Sequence, residues 1–337
     1  MLQNIKDLSL EDLKTALVEL GLKPYTALQV REWLYQKKAI SFEAMTNISK
    51  EARRILPEHF FISTLQLDQV QRATDETQKF LFQLQDGKKI EAVWIPTKSR
   101  VTICLSTQVG CAMACNFCRT GEMGLLKNLT QSEMLDQVLE IQRLLPERPV
   151  TNLVFMGMGE PMANLKALLP TLEILQNERA FNFSKRKMTV STSGLVPKMY
   201  EFAKASDAKL AISLHAPNDA LRDQLMPINK RYPLKELMQF CHDYQKDSRH
   251  WITFEYVMLK DVNDSTELLK QLIGLLRGLR SKVNLIPFNS FPGNSYQPSE
   301  ESTLTLWKEG LFQAGIQTNV RKDRGREILA ACGQLAA

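Results

Sequence analysis

Leu10, Leu13, Leu17 and Leu20 recur at the spacing of one helix face, and Ser9 and Asp12 bracket an imperfect capping box just ahead of them. The pattern predicts a helix there, a second over 27–37 and a third over 42–55, with Pro57 closing the unit. Residues 1–60 therefore read as a small helical domain. The periodicity then shortens. QKFLFQL and KKIEAVWIP, joined through Asp86-Gly87, predict a β-hairpin extension over 61–100. RVTICLST continues as a strand, and TNLVFM, KMTVSTS, KLAISLH, ITFEYVML and KVNLIPF follow it. Helical runs between them begin near Thr130 (with Glu133, a capping box), Asn164, Pro197, Pro233 and Ser265. Six strands alternating with helices predict an α/β core over 101–337, either a parallel sheet or a partial (β/α)6 barrel. Ligands of such folds bind at the C-terminal ends of the strands.

Composition narrows the classes without choosing among them. Of 337 residues, 44% are hydrophobic and 24% charged, which excludes a disordered chain. No apolar run is long enough to span a bilayer, and the start lacks a basic segment followed by an apolar one. The expectation is a cytoplasmic protein with no membrane partner. A surplus of 43 Lys and Arg over 37 Asp and Glu leaves +6, a mild bias toward a polyanionic partner. Arg53-Arg54, 185–187 and 321–326 are basic clusters, each equally readable as a solvated face.

The cysteines carry more. Cys111, Cys115 and Cys118 form C-x3-C-x2-C in GCAMACNFCRTG, on the loop after a predicted strand. Zinc sites usually bring two ligand pairs, and ferredoxin-type clusters four cysteines each. Three close thiols with no near fourth suit a cubane with one iron left open. A zinc knuckle with a distant fourth ligand and a set of buried thiols are the alternatives.

This motif at the end of a barrel's first strand resembles the radical S-adenosylmethionine (SAM) superfamily. Together with FMGMGEPMANL, STSG, ISLHAPND, LMPIN, EYVMLKDVND, NLIPFN and AACGQLA, it is similar to the RlmN-type adenine-C2 methyltransferases nearly end to end. The resemblance implies one 4Fe-4S cluster on Cys111, Cys115 and Cys118, and SAM held by Gly159, Glu160, Ser191, Ser213, Leu214, His215 and Asn289. It implies Cys332 as the methyl carrier, Cys104 as the thiol that resolves a thioether crosslink, and Glu91 as the proton acceptor. The implied substrates are 23S rRNA, at adenine 2503 of the peptidyl transferase centre, and tRNAs, at adenine 37. The implied donor is a flavodoxin- or ferredoxin-type reductant serving a monomer.

Read without the family, several of these residues have plainer meanings. Cys104 alternates with Ile103 and Leu105 and could face the core. Glu91 could lie on a solvent-facing edge, and His215 could be a satisfied core histidine. Cys241 has no implied role. The Cfr-type branch, which methylates C8, shares the chemical residues, and Pro161 and SLHAPND favour the C2 branch. A non-catalytic iron–sulfur or zinc protein that binds RNA is the rival from another class.

Overall fold

The computed structural model describes residues 2–246 and 250–337. Helix α1 (Leu10–Glu19) starts where Ser9 accepts the Asp12 N–H, satisfying one of the free donors of the first turn. Helix α2 (Thr26–Tyr35) follows the expected span closely. Helix α3 (Lys50–His59) starts later than its spacing predicted, at the Ser49 cap, and Pro57 lies inside it rather than closing it. Leu13, Leu17, Val30, Leu34, Ala52 and Leu56 bury one face of each helix in a shared core.

Buried polar contacts dock this unit onto the rest. Lys6 pairs with Asp136, both almost wholly buried, and also donates to Ser63 O at 2.6 Å. Asp7 accepts from Ser132 N at 2.8 Å, and Gln131 Nε2 donates to Lys6 O at 2.6 Å.

One ten-stranded sheet runs through the remainder in chain order. Its strands are β1 (Gln66–Arg72), β2 (Gln78–Gln83), β3 (Lys89–Pro96), β4 (Val101–Cys104), β5 (Asn152–Phe155), β6 (Met188–Thr192), β7 (Lys209–Ser213), β8 (Ile252–Met258), β9 (Ser281–Pro287) and β10 (Gln317–Val320). Strands β1 to β4 pair antiparallel, whereas β4 to β10 pair parallel. The hairpin extension is thus continuous with the barrel-like core. The sequence pattern predicted six core strands, and β10 is a seventh. Both β1 and β10 are edge strands with mostly exposed, polar residues, so neither shows the apolar alternation that marks a half-buried strand.

Helix α4 (Gln131–Leu144) begins in the expected capping box, with Thr130 and Glu133 satisfying each other's backbone N–H. Helices α5 (Leu165–Gln176), α6 (Val196–Ala205), α7 (Leu234–Lys246), α8 (Thr266–Leu275) and α9 (Glu301–Gln313) connect the later strands. Parallel neighbours need such crossovers, so the C-terminal ends of β4 to β9 gather at one rim. No helix among the described residues is long and apolar enough to cross a membrane.

Candidate active site

The three-cysteine loop rises from that rim. Cys111 ends a short strand, Gln108–Cys111, paired antiparallel with Gly124–Asn128. Gly110 is required there: its φ is +72°, and a Cβ would stand 1.9 Å from Gly124 O. The loop then tightens, with Cys118 N donating to Cys115 O at 3.1 Å and Gly121 N to Cys118 O at 2.9 Å.

Burial pushes the Cys111 thiol up to about 12 and raises Cys115 and Cys118 as well. The Cys115 and Cys118 anions disfavour one another, and Cys111 and Glu160 add to the effect on Cys115. Three buried thiols that repel as anions suit a cationic centre that neutralises them together. Phe117 and Cys115 pack against Ala216, Leu225, Met226 and Phe288, an apolar patch beside the loop.

The residues expected to hold SAM line the adjoining strand ends. Gly159 has φ +100°, and a Cβ there would stand 2.5 Å from Gln108 Cβ. That packing carries the next residue inward: Glu160 N donates to Gln108 Oε1 at 2.8 Å, and its carboxylate is buried. Glu160 Oε1 accepts from Met162 N at 3.0 Å and Oε2 from Ser193 N at 2.7 Å. Burial raises its pKa while these donors work the other way, an arrangement open to an ammonium partner. Ser191 lies on β6 and Ser213 ends β7. Leu214 N donates to Glu255 O at 3.0 Å.

His215 adopts φ +60°, and its Nδ1 accepts the Val257 N–H at 2.9 Å. Burial, and secondarily Arg222, lower its pKa to about 3, so the ring is neutral with its proton on Nε2. The satisfied-histidine reading therefore holds for Nδ1. Asn289 Nδ2 donates to Cys332 O at 3.3 Å, while its buried Oδ1 has no partner. An unpaired buried polar atom facing a strand-end mouth is what a site for a polar ligand leaves when protein atoms alone are counted.

Cys104 ends β4 opposite Val93 and Val154, and burial pushes its thiol up to about 12. Cys332 lies half-buried on the C-terminal segment, close enough to raise Cys104 further and to interact with Cys118. Arg321 stands among these groups. Its charge is held mainly by Cys332, then by Glu255 and Cys104, and Nη1 is 3.6 Å from Glu255 Oε2. All six cysteines are free thiols. Glu91, on the interior strand β3, is buried rather than edge-exposed. Its Oε1 pairs with Lys79 Nζ at 2.8 Å, and its Oε2 accepts from Ala336 N at 2.9 Å.

Other sequence candidates fall elsewhere. Cys241 is buried within α7, away from these groups in the fold. The cluster at 185–187 precedes β6, at the opposite end of the strands from the mouth, where desolvation, and then Lys282, Lys187, Arg186 and Arg100, lower the pKa of Lys209. The cluster before Cys332 is largely neutralised internally. Arg324 lies 3.6 Å from Asp75 and Arg326 3.8 Å from Asp323, while Arg321 turns inward.

Sequence reasoning passed over Arg222, a fully buried guanidinium that donates to Ser193 O at 2.7 Å, Ser213 O and Leu214 O at 3.1 Å, and Asn229 Oδ1 at 2.8 Å. Nothing in DALRDQL distinguishes it from a surface helix residue. Lys79 could have been found. In the hairpin register Leu81 faces Glu91 and Lys79 faces Val93, which places Lys79 diagonal to Glu91 on one face.

Comparison with known proteins agrees with this architecture. The radical SAM superfamily pattern matches residues 105–273, and the pattern of the ribosomal RNA large subunit methyltransferase N-terminal domain matches residues 3–62. A dual-specificity RNA methyltransferase RlmN from Geotalea uraniireducens is 46% identical over 98% of this chain and 96% of its own. The protein of the same name from Anaeromyxobacter dehalogenans is 46% identical over 99% and 92%. The crystal structure of a radical SAM methyltransferase from Sphaerobacter thermophilus superposes with a TM-score of 0.94, at 42% identity and 99% coverage of both chains.

Proposed function

The chain belongs to the RlmN family of radical SAM enzymes, and from that membership we propose that it methylates C2 of adenine in RNA. Its substrates on this reading are adenine 2503 of 23S rRNA and adenine 37 of tRNAs. The observation that carries the proposal is the gathering of Cys332, Cys104 and Glu91 at the strand ends beside the three-thiol loop. Residues 101–337 act as the catalytic core, 61–100 as an extension that contributes Glu91, and 1–60 as an accessory unit for RNA.

Cys111, Cys115 and Cys118 would hold the 4Fe-4S cluster through their thiolates. When bound, the cluster supplies the single electron that cleaves SAM and yields a hydrogen-abstracting radical. Glu160, with Gly159, Ser191, the 213–215 turn and Asn289, orients SAM at the mouth. The Cys332 thiolate first takes a methyl group from one SAM by displacement at carbon. With one hydrogen of that S-methyl group lost to the radical that a second SAM would supply, the Cys332 methylene would join adenine C2. Loss of the C2 proton to Glu91, with one electron passing back to the oxidised cluster, would leave a thioether between Cys332 and the base. The Cys104 thiolate then attacks the Cys332 sulfur. A disulfide forms, and the carbon departs with the C–S electron pair and takes up a proton as the new methyl group. The Arg321 charge favours the thiolate form of Cys104, against the larger effect of burial. A flavodoxin- or ferredoxin-type protein supplies electrons.

The test uses anaerobically reconstituted protein, SAM, a strong reductant and unmodified 23S rRNA or tRNA. The RNA is digested to nucleosides and compared with 2-methyladenosine and 8-methyladenosine by mass spectrometry. The expected result is 2-methyladenosine that disappears in Cys332→Ala. An 8-methyladenosine product would move the chain to the C8 chemistry. Absence of both with an intact cluster would refute the substrate assignment.

A further inference from the structure

Glu91 is not an isolated buried carboxylate. Its side chain and that of Lys79 are 6% and 7% exposed, and the 2.8 Å contact between them is a complete ion pair inside the fold. The two are fixed from several sides. Glu91 O accepts from Ser106 Oγ at 2.6 Å, Glu91 N donates to Met158 Sδ at 3.4 Å, and Lys79 Nζ also reaches Leu329 O at 3.3 Å. The second carboxylate oxygen is covered by Ala336 N, a backbone group of the segment that carries Cys332.

We infer that Lys79 is a positioning residue for Glu91: it holds Glu91 ionised and aimed into the mouth when the C-terminal segment withdraws and Oε2 is exposed to substrate. The inference rests on Glu91 as proton acceptor. A carboxylate that has lost its cation in a dry site favours its protonated form, and a protonated Glu91 cannot take a proton. Ala336 N–H can share that task only while the segment covers the site. Once it leaves, Lys79 alone retains a charge-assisted bond to Glu91. Among the described residues Lys79 is the charged side chain in ion-pair contact with Glu91. Of the other titratable groups on the neighbouring elements, Cys104 pairs with Val93, two residues along β3 from Glu91, and Cys332 lies on the segment whose Ala336 N covers Oε2.

The experiment is made in Cys104→Ala protein, in which the proposed thioether to RNA cannot be resolved and accumulates. Crosslink formation is followed on denaturing gels across pH, and methylation of Cys332 by mass spectrometry. Lys79→Gln is expected to keep Cys332 methylation while crosslinking is lost at the acid end of the profile, at a higher pH than in the parent. Lys79→Arg is expected to return that loss to its parent position. A Lys79→Gln profile that overlays the parent, or one depressed equally at every pH, would overturn the inference. Should Lys79→Gln fail to fold, Lys79→Gln/Glu91→Gln decides. Recovery of the fold would trace the loss to Glu91's unpaired charge, and continued unfolding would refute that cause. Glu91→Gln protein that crosslinks normally would instead remove the premise about Glu91, whatever Lys79 does.

Discussion

Arg222→Met tests whether one buried guanidinium holds together the loops that the proposal assigns to SAM. Arg222 is fully buried and binds backbone carbonyls from two strand ends, Ser193 after β6 and Ser213 and Leu214 after β7. Burial lowers its pKa to about 10, so it is still charged at neutral pH. Methionine keeps much of the apolar stem but none of the donors. Leu214 O retains the Ala216 N–H at 2.8 Å. The loss therefore falls on Ser193 O, Ser213 O and Asn229 Oδ1, where an unsatisfied buried acceptor costs about 1–3 kcal/mol. Relief of guanidinium desolvation offsets part of this, leaving about 3–5 kcal/mol of destabilisation.

That is a large share of the roughly 5–15 kcal/mol that holds a domain folded. Urea unfolding of parent and variant under identical conditions measures it directly. Isothermal titration with SAM on the reconstituted enzyme should show weaker binding, because Ser193 and Ser213 lose their shared anchor. A stability change below about 1 kcal/mol would mean that water satisfies the carbonyls equally well. The claim that Arg222 organises the mouth would then be wrong.

Three further outcomes follow from the same geometry. His215 stays neutral in the fold down to about pH 3 but takes up a proton near pH 6.5 when unfolded, so it makes stability rise with pH between those values by about 1.4 kcal/mol per unit. His215→Asn, which tolerates the positive φ, should flatten the urea-measured pH dependence by one proton; an unchanged slope would exclude His215 as its source. Gly159→Ala should cost about 1–3 kcal/mol in backbone strain besides the clash with Gln108, read as a lower unfolding midpoint. Lys6→Met should cost about 3–5 kcal/mol by leaving Asp136 buried without its cation. Since burial already pushes the Asp136 carboxyl up to about 6, the Lys6→Met loss should shrink as acid neutralises it, and a loss independent of pH would contradict this origin.

What the sequence could convey depended on whether a signal was local. Thr130 with Glu133, Ser265 before α8 and the Asp86-Gly87 hairpin are short-range patterns, and each appears as read. The edge strands β1 and β10 bury too little to leave a pattern. Pro57 misled because a proline near a helix end removes a donor without forcing the helix to stop at once. Cys104 and Cys332 are 228 positions apart in the chain, and periodicity alone could not bring them together. Arg222 and Arg321 were illegible for a further reason. Each lies in a charged stretch that reads as a surface, and tertiary packing alone shows that its guanidinium points inward.

The C-terminal segment explains why the proposed base and methyl carrier occupy one mouth without both being open. Beyond Leu329, its hydrogen bonds to the rest of the fold include polar ties from Asn289 to Cys332 O, Gln334 to Ser290 O, Arg119 N to Gly333 O, Thr120 Oγ1 to Leu335 O, and Ala336 N to Glu91. Each contributes only about 0.5–1.5 kcal/mol, more for the bond to a carboxylate. The segment's buried apolar side chains are mainly Ala330, Ala331 and Leu335. Left-handed residues at Gly325 and Leu329 bracket its start, and the non-glycine Leu329 stores about 1–3 kcal/mol that release would return. The segment can therefore open at a fraction of the cost of unfolding. One opening would free the Glu91 oxygen, the Asn289 amide and the Cys332 backbone together. On the proposed chemistry, the movement that lets an adenine approach is then the same movement that unmasks its proton acceptor.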